Sequence, residues 1–95
     1  MPWSSMHHTL QILQMARISA ASDKNGDLVR LGGSIRARRK TIGMSQEALA
    51  DATEIDRAHV GKIERGERNV TILNILRIAI AVGCKPSELL CDAGL

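Results

Sequence analysis

Between Ser45 and Asn69 the chain reads SQEALADATEIDRAHVGKIERGERN. Arg57, Lys62, Arg65 and Arg68 carry positive charge along this stretch, while Gln46, His59 and Asn69 add neutral hydrogen-bonding groups. Cationic and amide side chains of these types grip phosphate, and a guanidinium can also match the edge of a base. Two short helical patterns joined by a tight connection carry them, an arrangement suited to reading DNA. The remaining sequence has to position this stretch.

The chain has 95 residues, enough for one domain with a limited core, so association with another subunit would help it stay folded. It contains no Phe, no Tyr and one Trp, which leaves an aliphatic core of the kind that small packed helices use. Net charge is +3 and the isoelectric point about 9.3, a balance suited to a polyanionic partner. Residues 29–69 hold nine basic against six acidic side chains, whereas the segments on either side are each neutral. All of the excess therefore lies around the basic stretch.

Several function classes find no support. There is no Gly-rich phosphate loop, no CxxC, no HExxH and no converging Ser/His/Asp set, so an enzyme is not expected. Cys84 and Cys91 are too far apart for a metal motif and lack a His pair, which leaves two reduced, half-buried thiols. His7 and His8 are adjacent and cannot share a helical face, so they hold no metal, and no cofactor is expected. No apolar run is long enough to span a bilayer, and Trp3–Ala21 is broken by His7, His8, Gln11, Gln14 and Arg17, so the expected location is cytoplasmic.

Residues 1–28 read as an N-terminal extension, flexible or helical, and residues 29–95 as the domain. Leu10, Ile12, Leu13, Met15, Ala16 and Ile18 could line a helical stripe, Met6 or Met15 could mark an alternative start, and Ser22–Asp27 reads as a turn or linker. The domain then begins with a helix from about Leu28 to Ile42, with Leu28, Leu31, Ile35 and Ile42 facing inward. Gly32 and Gly33 weaken its first half by up to about 1 kcal/mol each, so its start is expected nearer Ser34. Gly43 is placed to end it in a left-handed conformation, followed by Met44.

Ser45 caps a second helix that points Leu49 and Ala50 inward, with Glu47 favourably near the positive end of the dipole. Asp56 caps a third, Arg57 to Glu64, with Val60 and Ile63 inside and Arg57, Ala58, Gly61 and Lys62 outward. Gly66 closes it. Thr71 caps a fourth, Ile72 to Val82, which is apolar on nearly every side and must be buried all round. A core this small covers only part of it, so the remainder is expected to meet a second subunit, with Leu73, Ile80 and Leu90 at the contact. Pro86 opens a last short helix to about Cys91, with Leu89 and Leu90 packing back.

Gln46, Ala50, Ile55, Val60, Ile63 and Glu64, with the following Arg65-Gly66, resemble the helix-turn-helix of the Xre and phage Cro/C1 repressor family over about Ser34 to Leu90. The words IERGERNVTI, Ile63 to Ile72, resemble more narrowly the controller proteins of restriction-modification systems. The resemblance implies an all-α, five-helix, lambda-repressor-like DNA-binding domain. It places the third helix in the major groove, with Arg57, Ala58, His59 and Lys62 nearest the bases. Arg57 can span O6 and N7 of guanine, and the Ala58 methyl can touch that of thymine. Ser45 and Gln46, with the free amides of the second helix, would hold one phosphate, while Arg65, Arg68 and Asn69 form a second clamp and Arg36 a third. The family pairs an arginine of the first helix with a glutamate ending the third, which makes Arg39 and Glu64 a structural ion pair. One departure is Glu54, where the family has Gly in the turn; a non-Gly residue at positive φ costs about 1 kcal/mol or more. The turn must then either change its geometry or tolerate the strain.

These features imply a homodimer on double-stranded DNA with a two-fold symmetric operator, blocking RNA polymerase or recruiting it. Two other readings compete: an antitoxin in which residues 1–28 capture a toxin, and a protein-interaction module that never meets DNA.

Overall fold

The computed structural model describes residues 20–95. The N-terminal stripe from Leu10 to Ile18 and both adjacent histidines lie outside them. After a 3₁₀ turn at Ala20–Ser22 come five α-helices: α1 (Asp27–Thr41), α2 (Gln46–Thr53), α3 (Arg57–Glu64), α4 (Ile72–Val82) and α5 (Pro86–Asp92). There is no strand among the described residues. The described residues adopt the expected all-α, five-helix fold class.

The first helix starts at Asp27, earlier than Ser34, and runs unbroken through both glycines. The Asp23 carboxylate accepts from the backbone N–H groups of Asp27 at 2.9 Å and Leu28 at 2.8 Å, satisfying two amides that would otherwise lack partners. Gly32 has a packing role that outweighs its low helix propensity. A Cβ there would lie 2.4 Å from the Ile63 carbonyl oxygen and 2.5 Å from that of Glu64, so α1 and α3 cross with their backbones nearly touching. Leu28 is half-buried, and Ile42, expected inside, is 51% exposed. The reversal explains Ile42: at Gly43 φ is 68°, the Gly43 N–H donates to Lys40 and the Met44 N–H to Arg39, and Met44 packs on the core in its place.

The Ser45 hydroxyl accepts from the Ala48 N–H at 3.0 Å, opening α2, and Leu49 and Ala50 enter the core. Glu54 ends the helix at φ 58°, so the turn keeps the left-handed geometry and tolerates the strain. Ile55 anchors that turn in the core, and Asp56 accepts from the Ala58 N–H at 3.1 Å to start α3. Thr71 does the same for α4 through Asn74 at 3.2 Å.

The core gathers Leu31, Ile35, Leu49, Val60, Ile63, Ile78 and Leu89 from all five helices. Polar contacts tie α5 to α1: Arg38 Nε donates to Asp92 at 2.8 Å, and the Ser34 hydroxyl to the Leu89 carbonyl at 2.9 Å. Within a single copy α4 is buried on one side only. Ile75, Ile78, Ala79 and Val82 are inside, whereas Ile72, Leu73, Leu76 and Ile80 are exposed, the last by 80%. Leu90 is half-buried against the core, and of the two unpaired cysteines Cys84 is half-buried and Cys91 exposed, contrary to the shared burial expected. Among the described residues no helix is long and apolar enough to cross a membrane.

Candidate nucleic-acid interface

α3, the helix expected to meet DNA, is held from behind. Val60 and Ile63 fill the core from α3, and Glu64 receives two hydrogen bonds from Arg39 of α1, Nε to Oε2 at 2.7 Å and Nη2 to Oε1 at 2.8 Å. The third Arg39 nitrogen, Nη1, donates to the Met44 carbonyl at 2.8 Å, so one guanidinium joins α1, the turn before α2 and the end of α3. Burial pushes the Glu64 carboxyl up, but the hydrogen bonds from Arg39 and Gln46 and the charges of Arg39 and Arg36 outweigh it, leaving it below the ordinary carboxylate range. The pair is a charged, bidentate clasp with little water around it.

Gly61, expected to point outward, is buried instead. A Cβ there would meet Arg65 Nη1 at 3.1 Å and Gln46 Oε1 at 3.8 Å, so this turn of α3 faces the start of α2. Gln46 is likewise turned inward: its Nε2 donates to Glu64 Oε1 at 3.1 Å, which leaves its second Nε2 hydrogen and its side-chain oxygen. Arg36, Arg39, Gln46, Glu64 and Arg65 line one open cleft of about 380 Å³, so residues from three helices and the loop after α3 converge there. Ser45, beside it in sequence, uses its oxygen to cap α2.

The outward side of α3 is different. Arg57 and Ala58 are exposed, while His59 and Lys62 are half-buried. Arg57 Nε lies 3.6 Å from Glu47 Oε1 of α2, a surface contact with both side chains mostly in water. Arg65 pairs with Glu67, and Arg68 and Asn69 are exposed in the loop that leads to α4. Glu47 and Glu67 were not foreseen as partners. The Glu67 pair is only two residues apart in sequence and was legible; the Glu47 pair depends on how α2 crosses α3.

A helix locked by one face, with Arg57 and Lys62 on the other and a second helix laid across it through a tight left-handed turn, is the geometry of a helix-turn-helix. A helix-turn-helix family model matches residues 35–89. The chain belongs to the helix-turn-helix family. It is similar to the control protein C.MunI of a Mycoplasma species, 35% identical over 65 residues that cover 67% of this chain and 88% of that one. It is also similar to the control protein C.BamHI of Bacillus amyloliquefaciens, 47% identical over 53 residues covering 56% and 65%. Among solved structures, the restriction-modification controller protein C.AhdI from Aeromonas hydrophila superposes with a TM-score of 0.66 at 47% identity, covering 67% of this chain and 97% of that one. The clp gene regulator ClgR from Corynebacterium glutamicum, at 24% identity and a TM-score of 0.70 over 72% of this chain and 87% of its own, matches in fold. Within its family the chain is therefore a transcriptional regulator of the controller type, and these relatives are regulators rather than enzymes. Both resemblances read from the sequence hold, and the matched span differs from the expected one by a single residue at each end.

Proposed function

We propose that the chain is a sequence-specific DNA-binding regulator that acts as a dimer on a two-fold symmetric operator of a restriction-modification system, each copy inserting α3 into successive major grooves about 34 Å apart. The observation that carries this reading is the division of α3 into a clasped inner face and an exposed outer one bearing Arg57, Ala58 and the half-buried His59 and Lys62. Arg57 reads guanine through O6 and N7, Lys62 is a point donor, and Ala58 lies against thymine. Arg36, Ser45, Gln46, Arg65, Arg68 and Asn69 hold phosphates and set the register. The second copy covers Leu73 and Ile80 of α4, where leaving Ile72, Leu73, Leu76 and Ile80 in water has no other benefit to a single chain.

Selection of bound sequences from a random duplex pool tests the proposal. The expected result is an enriched palindrome whose half-sites are one helical turn apart, with a dimer by light scattering. An enriched site without two-fold symmetry, or a monomer at tens of micromolar, overturns the dimeric reading; no enrichment overturns sequence-specific binding.

A further inference from the structure

The loop after α3 sets a carboxylate against Arg65, with Lys62 and Arg68 close by in the chain. Glu67 accepts a hydrogen bond from Arg65 Nε, and that bond, together with the charges of Arg65, Lys62 and Arg68, keeps its carboxyl below the ordinary range although it is exposed. Its position is set by the backbone. The Gly66 N–H donates to the Ile63 carbonyl at 3.0 Å and the Glu67 N–H to the Lys62 carbonyl at 2.9 Å, so the chain folds back over the last turn of α3. Gly66 stands at φ 73°, and a Cβ there would lie 2.6 Å from Val29 Cα, so this reversal is wedged against α1. Glu67 is thus carried on a hydrogen-bonded turn whose first carbonyl belongs to Lys62.

We infer that Glu67 is a built-in counter-anion, occupying against Arg65, next to Arg68 in the chain, the place that a DNA phosphate takes on binding. The inference rests on the DNA-binding reading above and adds a residue that opposes it. A phosphate reaching Arg65 must displace this carboxylate or sit beside a like charge, and fewer counterions are released from DNA than the loop's cations would release unopposed. Glu67 therefore holds down affinity for any duplex, random sequence included, and makes the salt dependence shallower. Base reading by Arg57 does not pass through it. The physical benefit is that less of the regulator is lost to non-specific DNA, where phosphate contacts supply nearly all of the binding.

The test measures the affinity of the full chain for a random-sequence duplex from 50 to 200 mM salt, comparing the wild type with Glu67→Gln and with Asp51→Asn, which changes net charge equally on the exposed face of α2. Glu67→Gln should bind about three- to tenfold tighter at low salt and steepen the slope of log K against log[salt] by about 0.9, the increment of one phosphate. Asp51→Asn should stay within about twofold of the wild type. Equal effects of the two variants would reduce the observation to net charge, and weaker binding with a lowered Tm in Glu67→Gln would make Glu67 a brace for the loop; either overturns the inference. If the wild type itself binds duplex without salt dependence, the DNA-binding reading falls and this inference with it. Salt-dependent wild-type binding with an unchanged Glu67→Gln overturns the counter-anion alone.

Discussion

The two faces of α3 show how one eight-residue helix divides stability from recognition. On its inner face Val60, Gly61, Ile63 and Glu64 are buried, and the one charge there is matched nitrogen to oxygen by Arg39. On its outer face the charges are loosely partnered: Arg57 meets Glu47 at 3.6 Å with both largely in water. Burial makes a charge expensive to leave unpaired, whereas solvent makes an exposed pair nearly neutral in energy and easily exchanged for a ligand. The inner face can therefore set where the helix lies while the outer face stays available.

Substitution of the clasp should separate the faces most sharply. Glu64→Ala strands Arg39 and is expected to lower stability by about 3 to 5 kcal/mol, a large share of what a small domain has, measured by denaturant unfolding. The same clasp predicts an acid limit. The folded Glu64 carboxyl lies below its ordinary value of 4.5, so its contribution is fully present above that pH and is lost as pH falls through the lower folded value. In Glu64→Gln that part of the acid dependence should vanish; a wild-type profile in the variant would show that the clasp does not couple to protons.

Gly32→Ala tests the same seam from α1. A methyl group placed 2.4 Å from a backbone carbonyl must push the helices apart, with an expected loss of about 1 to 3 kcal/mol, even though Ala favours helix. A gain in Tm would mean that the two helices can separate without cost. Arg57→Ala should do the reverse, leaving Tm within a degree or so while weakening operator binding by about 1 to 3 kcal/mol and sparing random duplex. Equal losses on operator and random DNA would remove it from base reading. The smallest effect is expected at the turn between α2 and α3. Glu54→Gly relieves the positive φ and should raise stability by about 1 kcal/mol, read as a higher Tm.

Legibility in the sequence followed the range of the interaction. Ser45, Asp56 and Thr71 act on amides two or three residues away, so each cap was recognisable from its own neighbourhood, as was the left-handed stop at Gly43. Residues that act across the fold were misread. Gly32 looked like a weak point of α1 because its value lies in the approach of α3, and Gly61 looked exposed because α2 lies against it. Ile42 followed the apolar spacing of α1 but falls just past the helix end at Thr41, and beyond the reversal at Gly43 Met44 turns inward instead. Asp23, counted as linker, caps α1 from four residues upstream.

By itself the sequence determined the five helices, the caps of α2, α3 and α4, the family and the basic stretch, because periodicity, capping and charge are local or additive properties of the chain. The tertiary structure decided which charges are locked and which are available. Arg39 and Arg57 are the same residue type; one lies opposite Glu64 in the crossing of α1 and α3, the other faces water beside Glu47, and only the packing of helices distant in sequence distinguishes them.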